Sequence, residues 1–132
     1  MRTKVCKLLK QWDAQAVENR VGPGMPDIVL TTNGVWIETK KTKAFPKRAG
    51  TPVVLDHELL MTQRVWLRRC SRKGGRCYVL TQVANEFFLH NGEWAAEHLG
   101  KVDRTTLTVE AEIHCEGWKA LARDLPQYLN ES

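Results

Sequence analysis

The chain has 132 residues, 42% apolar, with a formal net charge of +5. That is enough for one domain and one core, too apolar for disorder, and nowhere near the run of about 20 apolar residues that crosses a bilayer. The charge is uneven: residues 1–76 hold 16 Lys and Arg against 6 Asp and Glu, whereas residues 77–132 hold 4 against 9. A polyanion, nucleic acid first, is the expected partner of the basic part; the alternative is a surface that only confers solubility.

From the start, Val5, Leu8, Leu9, Trp12 and Ala16 recur at spacings of three and four, which predicts a helix over 3–18. No apolar signal region follows Met1-Arg2-Thr3-Lys4, so a cytoplasmic location is expected. Arg20-Val21-Gly22-Pro23-Gly24 breaks the helix and leaves Glu18 at its end. That carboxylate either reaches the site described next or is solvated.

Pro26-Asp27-Ile28-Val29-Leu30 and Val35-Trp36-Ile37-Glu38-Thr39-Lys40 flank Asn33-Gly34, a strong signal for a β-hairpin. A turn centred on Asn33-Gly34 pairs Leu30 with Ile37, Val29 with Glu38 and Asp27 with Lys40. A four-residue loop would keep the same faces. Ile28, Leu30, Val35 and Ile37 then form a core face, while Asp27, Glu38 and Lys40 share the other. Two carboxylates of this kind suit a hard divalent cation such as Mg²⁺. A cation there would polarise a phosphoryl oxygen and acidify a water, with the lysine orienting that water or offsetting charge. The alternative is a solvated strand edge with a cross-strand ion pair; the three groups together favour the site.

Residues 41–56 lack periodicity, carry Lys41, Lys43, Lys47 and Arg48, and are expected to form a mobile loop that contacts phosphates. A second helix is expected over 56–71, with Asp56 as its cap and a stripe of Leu59, Leu60, Trp66, Leu67 and Cys70. Gln63 falls within that stripe, where its amide needs hydrogen bonds. Arg64, Arg68 and Arg72 mark a basic ridge opposite. Lys73-Gly74-Gly75 is a turn and residues 76–81 a strand. Phe87–His90 reads as a strand followed by an Asn91-Gly92 turn. Leu107, Val109, Ala111 and Ile113 alternate as a strand would, and a closing helix over 118–125 is expected to stop at Pro126. The four cysteines lack zinc-ligand spacing and read as reduced and packed. The four histidines show no paired spacing, and neither a phosphate loop nor a serine elbow occurs.

A helix with Glu18, then Gly24-Met25-Pro26-Asp27, Glu38-Thr39-Lys40, a helix bearing Gln63 and a strand at Tyr78-Val79-Leu80: this order resembles the PD-(D/E)XK nuclease superfamily. It is similar, more narrowly, to the short stand-alone bacterial and phage members of the VRR-Nuc family. The likeness spans about residues 14–82; residues 83–132 add nothing to it. It implies an α/β fold with a restriction-endonuclease-like core of αβββαβ type, a mixed β-sheet flanked by α-helices. It also implies a Mg²⁺- or Mn²⁺-dependent DNA endonuclease in a bacterial or phage-infected cell. Asp27, Glu38 and the Thr39 carbonyl would ligate metal, Lys40 would be catalytic, and Gln63 and Glu18 would complete the site. Lys41, Lys43, Lys47, Arg48, Arg64 and Arg68 would grip DNA without reading sequence, and the expected substrate is junction or branched DNA cut by a homodimer. The rivals are a non-catalytic nucleic-acid-binding module, an RNA nuclease and a sequence-specific restriction-type enzyme.

Overall fold

A computed structural model describes residues 1–17 and 24–131. Its element order is α1 (Arg2–Leu8), β1 (Ala14–Ala16), β2 (Ile28–Leu30), β3 (Val35–Thr42), α2 (Met61–Arg72), β4 (Arg76–Val83), β5 (Glu86–Asn91), α3 (Gly92–His98), α4 (Arg104–Val109), β6 (Ile113–Glu116) and α5 (Trp118–Glu131). The strands form one six-stranded sheet in the order β1-β2-β3-β4-β5-β6. All neighbours are antiparallel except β3 and β4, which are parallel and joined through α2. A mixed α/β fold with helices flanking the sheet was expected, and the first six elements follow the αβββαβ order. Among the described residues no helix is long and apolar enough to cross a membrane.

The expected first helix stops ten residues early. Asp13 takes the left-handed conformation (φ 54°), and its carboxylate accepts from Thr31 Oγ1 at 2.6 Å and Gln15 Nε2 at 2.8 Å. Asp tolerates that conformation better than most residues, so the chain turns there and residues 14–16 become the edge strand β1. Glu18, assigned to the helix end, lies outside the described residues.

The hairpin closes through a four-residue loop. Leu30 pairs with Val35 and Ile28 with Ile37, two residues off the expected register, with the parity kept. Ile28, Leu30, Val35 and Ile37 are fully buried in a cluster with Val5, Leu9, Leu80, Phe87, Leu89, Leu121 and Leu125. This is the face that α1 and α5 cover. Pro126 does not end α5, because Leu121, Leu125 and Leu129 carry one buried stripe through it.

The opposite face is covered by α2, α3, α4 and the 43–60 segment. The expected start of α2 at Asp56 is five residues early; the helix begins at Met61, and Asp56 instead accepts from Thr42 Oγ1 at 2.9 Å. Val53, Leu55 and Leu59 are buried on this face, so the basic segment is anchored to the sheet along part of its length. Asn91 caps α3, accepting from the Glu93 amide at 2.9 Å, where only a turn was expected. The alternation over 107–113 is likewise not a strand. Asp103 caps the short helix α4, Leu107 is buried and Val109 is exposed, leaving only Ile113–Glu116 in the sheet.

Candidate active site

Strand β3 supplies the centre of the site. Glu38 and Lys40 alternate with the buried Ile37 and so face α2. Glu38 is 4% exposed, and its Oε2 lies 3.7 Å from Lys40 Nζ. Gln63, from the first turn of α2, is 6% exposed and donates from Nε2 to Glu38 Oε2 at 3.1 Å. Gln63 Oε1 accepts from the Leu60 amide at 2.9 Å and faces Lys40 Nζ at 3.5 Å. One glutamine thus caps its own helix and ties it to the acid and the lysine. This answers the polar residue on an apolar stripe: its amide is satisfied inside the site.

Asp27 sits one residue before β2, where the ladder has ended. Its partner is not Lys40, as the expected pairing had it, but Thr39. Asp27 Oδ1 accepts from the Thr39 amide at 3.1 Å and Oδ2 from its hydroxyl at 2.7 Å. The Val17 amide donates to the Asp27 carbonyl at 2.8 Å, so β1 steadies the same residue. Thr39 alternates with Glu38 and Lys40, so the hydroxyl that holds Asp27 belongs to the face opposite theirs; the three groups do not share one strand face as expected. Gly24 (φ 81°) lies against the head of α2, and a Cβ there would overlap the Thr62 carbonyl oxygen. Only glycine lets the 24–27 segment approach this closely.

Oxygen donors of this kind suit a hard divalent cation. Among the described residues no three His, Cys, Asp or Glu side chains converge on one point.

The proposed DNA-contacting cations divide. Lys43, Lys47 and Arg48 are exposed on the loop after β3, and none has an ion-pair partner among the described residues. Lys41 is exposed but stands on the other face of β3 from Lys40. Arg64 does not join an exposed ridge. It is 8% exposed and donates to the carbonyls of Leu59, Ala95, Ala96 and Leu99, at 2.9 to 3.4 Å, thereby binding α2 to the end of α3. Arg68 and Arg72 pair with Glu97 and Glu93 of α3 at 2.7 and 3.1 Å. A helical period placed all three arginines on one face, but it could not show that α3 would dock there.

Two buried polar residues on this face had no signal in the sequence. Thr81 on β4 is the register partner of Lys40, fully buried, and its hydroxyl has no hydrogen-bond partner among the described residues. His90 on β5 is also fully buried; its Nε2 donates to the Leu107 carbonyl at 2.8 Å, while Nδ1 has no partner among those residues. Burial pushes the His90 imidazole down to about 4, against the opposing effect of the Leu107 contact. Only the strand pairing brings Thr81 beside Lys40.

No protein-family model and no curated protein matches the chain.

Proposed function

We propose that the chain is a metal-dependent DNA endonuclease of VRR-Nuc type. The supporting observation is the set of Glu38, Lys40 and Gln63 on one face of the sheet, with Asp27 held by the amide and hydroxyl of Thr39, the intervening residue of β3. Burying an acid and an ammonium is costly unless the pair is well satisfied, and such sets gather at functional sites.

In this reading Asp27, Glu38 and the Thr39 carbonyl hold Mg²⁺ or Mn²⁺. The bound cation supplies a polarised phosphoryl oxygen and a water of lowered pKa. Lys40 orients the attacking water or offsets charge building on the phosphate. Gln63 fixes the Glu38 carboxylate and shares the lysine. Lys43, Lys47 and Arg48 hold backbone phosphates without reading bases. Junction or branched DNA as substrate and a two-fold homodimer as the working form follow from the family resemblance.

The test is cleavage of labelled four-way junction, flap, nicked and linear duplex DNA, with Mg²⁺, Mn²⁺ or EDTA, by wild type and Lys40→Ala. Metal-dependent cutting is expected, with a fall of about a hundredfold or more in the variant, the scale for losing one preorganised electrostatic group. DNA binding without cutting under either metal would overturn the reading. The loop cations, which have no ion-pair partner among the described residues, favour a second reading, a non-catalytic DNA-binding module, and that result would support it. Matched RNA strands test an RNA nuclease, and discrete plasmid fragments would reveal a sequence-specific enzyme.

A further inference from the structure

A second basic feature lies away from the Glu38–Lys40 network. A cavity of about 260 Å³ opens between the loop 46–51 and the head of α4. Lys47, Arg48 and Thr51 stand on the loop side, Arg104 and Thr105 on the other. No carboxylate among the described residues lines it.

Arg104 is fixed before any ligand arrives. Its Nη2 lies 2.7 Å from Glu86 Oε2, and its guanidinium carbon lies 3.9 Å from the centre of the Phe45 ring. Phe45 packs edge-on against the buried Phe88, with centroids 6.1 Å apart. The Glu86 contact uses one terminal nitrogen, and guanidinium has further donors on a rigid fork. Lys47 and Arg48 complement it with charge that no carboxylate in the described chain neutralises.

Three cations, of which only Arg104 is paired with an acid, and two threonines around one concavity match a phosphate group. Water occupies about 30 Å³ per molecule in the liquid, so the volume also admits part of an attached sugar. Across the sheet, Lys40 pairs with Thr81 and Thr81 with Phe88, the residue beneath Phe45. Two strand spacings of about 4.8 Å, plus the height of the Phe45 ring, put the cavity on the order of 10–15 Å from Lys40.

We infer that this cavity is a phosphate-binding subsite that holds a nucleic-acid strand at a phosphate remote from the Glu38–Lys40 network. The strand rests on the nuclease reading above; the phosphate chemistry stands without it. The phosphate is either an internal diester or a terminal monoester, and the assay separates these sources.

Two measurements test the subsite, both on the full chain with Lys47→Ala/Arg48→Ala as the variant. Both residues are exposed and without ion-pair partners among the described residues, and an unchanged thermal midpoint checks that the variant folds. The first measurement titrates inorganic phosphate into ¹⁵N-labelled protein and follows the Thr51 and Thr105 amides. Saturable shifts that disappear in the variant are expected; no shifts, or shifts that persist in the variant, would overturn the subsite.

The second measures duplex binding in EDTA across a salt series, with and without terminal phosphates. The variant is expected to bind about tenfold more weakly, with a salt slope shallower by about one to two. An equal loss on both duplexes assigns an internal diester; a loss confined to phosphorylated ends assigns a terminal monoester. Unchanged affinity and slope on both would overturn the strand-holding role. Phosphate shifts without metal-dependent cleavage would leave the subsite standing and the nuclease reading refuted; metal-dependent cleavage without phosphate shifts would do the reverse.

Discussion

The two faces of the one sheet are built on different chemistry. Against α1 and α5 the buried residues are almost all hydrocarbon, from Val5 and Leu9 through Phe87 and Leu89 to Leu121 and Leu125. Against α2, α3 and α4 the same strands bury Glu38, Thr81 and His90, and the helix above them buries Gln63 and Arg64. An apolar face is satisfied by packing alone. A polar one needs a partner for each buried group, and on this face Thr81 Oγ1 and His90 Nδ1 find none among the described residues. The first face rests on packing, whereas the second buries polar groups that packing alone does not satisfy.

Substitution on the apolar face should have the largest effect. Phe87 is fully buried with its ring 4.7 Å from that of Trp118, and Phe87→Ala is expected to cost about 3–5 kcal/mol by the lost transfer energy and the cavity left behind. Denaturant titration measures it, and the loss should be the same at pH 7 and pH 5.

The polar face should respond to acid instead. His90 is held neutral when folded, at about 4, against about 6.5 when unfolded. Between these values the unfolded chain binds a proton that the native chain does not. Its contribution is therefore complete above about pH 6.5 and is lost as pH falls to about 4, on the order of 3 kcal/mol in all. Thermal midpoints across that range should fall less steeply in His90→Gln than in wild type; parallel curves would remove His90 as the cause.

A smaller loss is expected at Arg64. Arg64→Met keeps the stem but removes the donor shared by the Leu59, Ala95, Ala96 and Leu99 carbonyls, at about 2–3 kcal/mol. The effect should appear in unfolding and leave the salt dependence of the proposed DNA binding unchanged, whereas an exposed phosphate contact would show the opposite pattern.

The smallest effect should have the opposite sign. Thr81→Val replaces a buried, partnerless hydroxyl with a methyl and is expected to raise stability by up to about 1 kcal/mol. A loss in its place would show that the hydroxyl already has a partner, and the contrast between the faces would weaken.

Several parts of this arrangement were legible in the chain. The charge split is plain arithmetic. The core side of the hairpin follows from alternation alone, because a shift of two residues leaves every side chain on its face. Gln63 stood out because an amide on an apolar stripe requires an explanation, and Glu38 and Lys40 because their spacing puts them on one face of one strand. These are local properties, with the period set by backbone geometry.

What the chain alone did not reveal depends on contacts between segments far apart in sequence. Residues 14–16 follow a helical period yet form a strand, because Asp13 turns the chain and β2 offers an open edge. Arg64 has the spacing of a surface cation but is buried because α3, some thirty residues later, ends against it. Thr81 lies beside Lys40, and Arg104 opposite Lys47, only through strand pairing and loop docking. Periodicity specifies which side of an element faces inward; the tertiary fold alone decides what that side meets, since pairing and docking energies arise between residues whose distance along the chain carries no pattern.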